Sequence, residues 1–336
     1  MGSLTSRLER YGAARQATET IIPHLESIAQ PGCGAAHGPE VWEAEKVLPL
    51  LRQCGSFLRF HHYYRVDDLR LVESRSCNKH LLCQFCAMRR ASRLLERYME
   101  RFRQVSAGTV PWLVTYTLKN GPDLAERHEH LRRSWRKLMQ KRRDAERGRG
   151  RCELAKSTAG VYSQETKPGA GGHGWHPHRH ALVLVPEGQN LDLSVLRAEW
   201  EAITGDSFMV DAQPARNPDS PELDFLEVFK YALKPGELSA ADTWHAYLVL
   251  RGKRLLGSWG DLFGVPEPDT LDDDPLLGEP YLELVYRWAA QTGYQLHGLD
   301  YRESPDPGAE SIRGKHSQLM RAERPNDPAC IGLPPP

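Results

Sequence analysis

Leu124, Leu131, Trp135 and Leu138 recur at helical spacing in an otherwise polar stretch, which predicts one long amphipathic helix running to about Glu146. The segment before it, Trp112 to Leu118, alternates apolar and polar positions and is rich in β-branched and aromatic residues, so it reads as a strand. After the helix come a strand at Gly160 to Glu165, a glycine-rich loop at Gly169 to Gly174, and a second strand from Trp175. The last part of that strand, Ala181 to Val185, is continuously apolar, as expected of a strand buried on both faces. A helix at Leu193 to Ile203, a strand near Phe208 to Ala212 and a helix from Asp224 to Leu233 follow. The order β-α-β-β-α-β with one helix appended is the split, ferredoxin-like pattern. It predicts an α+β fold, an antiparallel sheet with helices on one face.

Upstream, helices are expected near Leu4 to Ala14 and Thr18 to Ile28, followed by a Gly/Pro-rich break from Pro31 to Pro39. Phe57 to Tyr64 and Leu69 to Val72 read as short strands. Residues 87–104 read as a helix with Leu94, Leu95, Tyr98 and Phe102 inward. The organisation expected is an N-terminal helical region (1–50), a small cysteine-bearing element with its helix (51–104), the main α+β domain (105–264), a C-terminal extension (265–303), and a polar, proline-rich tail (304–336) expected to be disordered.

Composition adds one feature. Charged residues make up 26% and hydrophobic residues 40% of the 336, ordinary for a globular chain, and the formal net charge is zero. That zero conceals an asymmetry: Cys77 to Lys156 holds 20 Lys+Arg against 8 Asp+Glu, and Glu187 to Glu310 holds 9 against 24. A basic block beside an acidic one points to a polyanion partner on one part of the surface. No apolar run approaches the roughly 18 residues of a membrane span. The residues from Met1 to Tyr11 lack the apolar core of a signal peptide. Seven unevenly placed cysteines argue against a secreted disulfide framework and for a reducing cytoplasm.

Three constellations carry chemistry. In Trp175-His176-Pro177-His178-Arg179-His180, alternate side chains share a face, so His178 and His180 point together, and His176 can join them. Such a pair can grip a divalent ion and leave coordination positions open. Cys54, Cys77, Cys83 and Cys86 are spaced C-x22-C-x5-C-x2-C, a knuckle-and-hairpin pattern for a closed structural zinc site, with His80 as an alternative to Cys54. Glu227, Tyr231 and Lys234 fall at i, i+4 and i+7 along one helix stripe, while Phe225, Leu226, Phe229, Ala232 and Leu233 take the opposite side. A phenol is a poor nucleophile until a cation lowers its pKa or its target is polarised.

Taken together, four ordered segments resemble the rolling-circle replication initiators (Rep proteins) of small plasmids, members of the HUH endonuclease superfamily. They are Cys54-Gly55 with Cys77 and Cys83-Gln84-Phe85-Cys86, followed by Arg89-Arg90; Thr115-Tyr116-Thr117-Leu118-Lys119-Asn120; the Trp175 to His180 run; and Glu227-x-x-Lys230-Tyr231-x-x-Lys234 with its single tyrosine. Gly252-Lys253-Arg254 to Trp259-Gly260 also looks like a family segment.

The resemblance implies an HUH fold with a zinc element. Mg2+ or Mn2+ would be held by His178, His180 and Glu165, with His176 the rival third ligand. Tyr231 would be the nucleophile that nicks origin DNA, single-stranded or extruded at the site, and leaves a 3′-hydroxyl for a host polymerase. Glu227 would activate water or assist the second transfer at termination, and Lys234 would steady the phosphate. A host helicase is implied as a partner. Where the family usually has a bulky hydrophobic residue, this chain has Arg179, expected to point away from the metal face and toward DNA or an acidic partner. The alternatives are an HUH transposase or relaxase, against which the order of HxH before a single tyrosine speaks, and a zinc-ribbon DNA-binding regulator without catalysis.

Overall fold

The computed structural model describes residues 3–30, 38–169, 174–215, 220–229 and 238–302. Helices α1 (Leu4–Glu19), α2 (Ile22–Ala29) and α3 (Pro39–Gln53) precede a hairpin of β1 (Phe57–Tyr63) and β2 (Asp68–Ser74), and α4 (Gln84–Val105) follows. Next come β3 (Thr109–Thr117), α5 (Leu124–Glu146), β4 (Ala159–Pro168), β5 (Trp175–Pro186), α6 (Leu193–Thr204), β6 (Val210–Pro214) and α7 (Pro221–Phe229). The chain continues through α8 (Ala240–Leu250), β7 (Leu256–Gly260), β8 (Tyr281–Ala289) and β9 (Gly293–Arg302). The 304–336 expectation lies outside the described residues.

The main sheet runs β6-β3-β5-β4-β7, every neighbouring pair antiparallel. Leaving out the edge strand β7, this is the expected split βαβ order, and the fold is α+β. The helices, however, cover both faces rather than one. Alternation along β5 sends Ala181, Val183 and Val185 into one core with α5 and α6, which contribute Leu131, Trp135, Leu196 and Trp200. Leu182 and Leu184 enter a second core with Leu94, Tyr98 and Phe102 of α4 and Phe225, Val228 and Phe229 of α7. A strand apolar on both sides needs a layer on each, since every buried Leu or Phe contributes about 1.5–3 kcal/mol that exposure would forfeit. Leu226, expected on the sheet side, faces outward.

Asp123 caps α5 by accepting from the backbone N–H groups of Ala125 and Glu126, and Asp192 caps α6 in the same way through Ser194 and Val195. Gly160 lies beneath the Trp259 ring, where no side chain would fit, so β7 closes tightly on β4.

A second, four-stranded sheet, β2-β1-β8-β9, joins the N-terminal hairpin to the 281–302 hairpin. One core unites α1, α2, α3, the four-cysteine region, α8 and β8. The amphipathic pattern from 39 to 53 is obscured by Pro39 and the internal Pro49, yet the segment is helical throughout. Its C-terminal carbonyls are capped by buried Arg15, which donates to the oxygens of Leu51, Arg52 and Cys54.

Candidate functional site

At one end of the main sheet, β3, β5 and β4 present polar side chains on the face that α4 and α7 cover. Antiparallel pairing sets Glu165 opposite His178 and Ser163 opposite His180, and sets Thr115 opposite His180 on the other side. Glu165 Oε2 lies 2.7 Å from His180 Nε2 and 3.8 Å from His178 Nε2. These donor atoms of Glu165, His178 and His180 all fall within 4.8 Å of one another, a spread that could hold a metal ion.

The donor set fits such an ion. Cis ligands of an octahedral Mg2+ with bonds of about 2.1 Å are about 3 Å apart, between the two separations seen here. His178 Nε2 is buried and has no hydrogen-bond partner among the described residues, so its lone pair is free to meet a cation in the group. Burial lowers the His178 pKa to about 3, so the imidazole is neutral at physiological pH, as a ligand must be.

Two further contacts orient the rings. Thr115 Oγ1 stands 3.0 Å from His180 Nδ1, leaving Nε2 to face the carboxylate. Asn120 Oδ1 engages His176 Nδ1. His176 stands beside His178, ring centroids 4.5 Å apart, but outside the group of donors. Thr115 and Asn120 belong to the motif recognised in the sequence, yet their roles depend on strand register, which no spacing rule reveals.

Helix α7 packs directly over this face. Phe225 meets Phe102 and Phe229 meets Tyr98, and Ser163 Oγ donates to the carbonyl of Val228. Glu227 lies on the exposed side of the same helix. Tyr231 and Lys234 lie outside the described residues.

Arg179 points away from the His178–His180 face, as alternation requires, but it does not reach a surface. It is 2% exposed and stacked between Trp135 and Tyr162, its guanidinium carbon 4.8 and 4.6 Å from the ring centroids. The expected contact with DNA or an acidic partner is therefore excluded. Burial brings its pKa down to about 10, and its one polar contact among the described residues is a hydrogen bond donated to Gln164 Oε1 at 3.4 Å.

The four cysteines Cys54, Cys77, Cys83 and Cys86 converge, all buried. Neighbouring sulfurs are 3.4 to 3.6 Å apart. Sulfurs about 2.3 Å from one zinc ion would stand about 3.8 Å apart, so the cluster could hold such an ion with little movement. Backbone N–H groups of Cys77 and Cys86 donate to the sulfurs of Cys54 and Cys83. Hydrogen bonds from Cys54, Cys77 and Cys86 draw the Cys83 thiol well below the ordinary cysteine value. His80 is not one of the group, and burial lowers its pKa to about 4.

The zinc-type knuckle, the α4 helix that grows from it and the His178–His180 strand thus form one packed unit. Residues 68–276, well over half the chain, match the family model for replication proteins. The chain belongs to that family, the rolling-circle plasmid initiators. No curated protein and no solved structure matches it. The matched span takes in both sides of the candidate site together with three of the four clustered cysteines, leaving Cys54 just outside. No helix among the described residues is long and apolar enough to cross a membrane.

Helix α5, which lies within the basic block from Cys77 to Lys156, is less available to a polyanion than its composition suggests. Arg127 pairs with Glu126 and Asp206, Arg132 with Glu129, and Arg142 with Glu146. Arg136, Lys137 and Arg143 form no ion pair among the described residues and line an open groove whose floor includes Trp135 and Trp259.

Proposed function

We propose that this initiator nicks one strand at a plasmid's double-strand origin, using Tyr231 as nucleophile, and rejoins the ends at termination. The observation that carries this reading is the Glu165–His178–His180 group on the sheet face covered by α7, the helix that leads toward Tyr231. The phenolic oxygen of Tyr231, having given up its proton, attacks the scissile phosphorus. A P–O bond to tyrosine forms as the bond to the 3′ oxygen breaks. The 3′ oxygen takes up a proton and becomes the 3′-hydroxyl primer, while the 5′ phosphate stays on the enzyme. Storing the phosphodiester this way allows resealing without ATP.

Mg2+ or Mn2+ held by His178, His180 and Glu165 would supply Lewis acidity to a phosphate oxygen. Lys234 steadies the phosphate, and Glu227 activates water or assists the second transfer at termination. His176 orients rather than ligates, because its ring stands outside the group of donor atoms that Glu165, His178 and His180 form. Zn2+ on the four cysteines has a structural role, since a closed set of four thiolates leaves no position for water. The target is single-stranded or extruded DNA at the nick site; a host helicase and polymerase act on the product in the cytoplasm.

The test is a denaturing gel of labelled origin DNA incubated with the full chain and Mn2+. The expected result is a denaturation-resistant protein–DNA adduct that Tyr231→Phe abolishes. Cleavage of equal extent by Tyr231→Phe would overturn the nucleophile assignment. Binding without any cleavage by the parent would favour a DNA-binding regulator.

A further inference from the structure

A cavity of about 450 Å³ opens between the cysteine knuckle and the turn joining α8 to β7. Its lining includes Ser163, which lies two residues from Glu165 on the same face of β4, so the cavity adjoins the candidate metal site. Lys79, Arg90, Arg251, Lys253 and Arg254 all line it, against one carboxylate, Glu267.

The cations divide into two kinds. Arg90 is held by Glu267 at 2.6 Å, and Arg251 by Glu43 at 2.7 Å, so their charges are largely met within the protein. Lys79, Lys253 and Arg254 have no carboxylate partner among the described residues. Three uncompensated cations converging on one cavity raise the local potential and favour an anion of matching size. Lys79 sits between Cys77 and Cys83, so both ends of its loop are tied to the four-sulfur cluster. Lys253 and Arg254 follow α8, whose Tyr247 and C-terminal neighbour Arg251 are both held by Glu43 of α3. The backbone that carries these cations is thus anchored on both walls, with Lys79 half-buried and Lys253 and Arg254 exposed at the mouth.

We propose that this cavity is a nucleotide subsite that takes the backbone phosphate of a DNA strand one or more nucleotides from the scissile bond. The subsite rests on the reading of the site as a DNA nickase. It also gives the cysteine cluster a second role, that of holding Lys79 against the strand. The ligand chemistry, a phosphate diester or monoester, has two sources, a DNA strand or a free nucleotide, and the strand is favoured by continuity with the strand-cutting site.

The test measures binding of a fluorescein-labelled oligodeoxythymidylate to the full chain across a salt series, in parent, Lys79→Gln and the Lys253→Gln/Arg254→Gln double variant. For single strands the slope of log K against log salt is about −0.7 per phosphate contact. The expected result is a slope shallower by about 0.7 in Lys79→Gln and by about 1.4 in the double variant, with zinc content, measured by elemental analysis, unchanged. Unchanged slopes in zinc-replete variants would overturn the proposal. So would ATP binding to the parent, seen by calorimetry and lost in the double variant, if the oligonucleotide slopes do not move. The covalent adduct is read separately: shallower slopes in variants of a parent that forms no adduct would leave the subsite standing and remove the nickase reading. An adduct with unchanged slopes would do the reverse.

Discussion

Glu165 stands directly opposite His178 across the β4–β5 ladder, while its Oε2 reaches diagonally to Nε2 of His180 at 2.7 Å. One carboxylate therefore serves two imidazoles on a neighbouring strand, an arrangement fixed by register rather than by flexible side-chain reach. A slip of one residue would turn Glu165 to the opposite face and dissolve the group. The long antiparallel pairing of β5 with both β3 and β4 guards against that slip.

The proposed division between ligating and orienting residues predicts unequal losses. His178→Ala and Glu165→Ala should abolish high-affinity Mn2+ binding and metal-dependent nicking. His176→Ala should cost about 10- to 100-fold at most, the range for a residue that orients ligands without binding the ion. Calorimetric titration of Mn2+ into each variant checks this, and an equal loss in His176→Ala would make it a ligand.

Zinc content distinguishes the two ligand sets weighed for the cysteine element. Cys54→Ser should lose the bound zinc and unfold at lower temperature, because binding to a structural site is coupled to folding. His80→Ala should retain one zinc ion per chain by elemental analysis. Retention by Cys54→Ser with loss in His80→Ala would reverse the assignment.

How far these features could be read from the sequence varies with their physical origin. The run β3-α5-β4-β5-α6-β6 was legible because each element carries a strong period and a clear cap or turn. His178 and His180 were visible as an HxH at a strand mouth, and Cys83 and Cys86 as a knuckle. The two-faced burial of the sheet was foreshadowed by the unbroken Ala181 to Val185 run, but its second layer comes from α4 and α7, far apart in sequence. Strands β8 and β9 are not legible in the sequence because most side chains of β8 are half-exposed and most of β9 are exposed, which weakens alternation. For Arg179, alternation gives the direction of the side chain, but nothing in the sequence reveals that Trp135 and Tyr162 close over it.

The start of β5 depends on a close backbone crossing. Gly174 has φ +71°, and a side chain there would run into the Gly121 carbonyl, while Gly121 and Trp175 exchange backbone hydrogen bonds. Asn120, which engages His176, is the next residue along. Gly174→Ala should therefore cost about 1–3 kcal/mol of stability, from left-handed strain and overlap together. It should also weaken nicking more than Gly188→Ala, at a positive-φ turn with open space around it. Thermal unfolding and nicking rates of the two variants give the comparison; equal effects on both readouts would detach the crossing from the site.

Arg179 yields the prediction with the least intuitive sign. Among the described residues its guanidinium is buried without a carboxylate and its Nε lacks a hydrogen-bond partner, so the charge is held chiefly by the faces of Trp135 and Tyr162. Cation–π attraction of about 2 kcal/mol in a desolvated site competes with a desolvation penalty of several kcal/mol. Removing the charge while keeping the volume should therefore be neutral or stabilising, whereas removing both leaves a cavity between two aromatic rings. Arg179→Met is expected to unfold at the parent's temperature or above it, and Arg179→Ala to lose about 2–4 kcal/mol. Because the side chain faces away from His178 and His180, both variants should bind Mn2+ as the parent does at temperatures where they are folded. Thermal and denaturant unfolding of the pair decides the matter: if Met destabilises as much as Ala, the guanidinium contributes through its charge rather than its bulk.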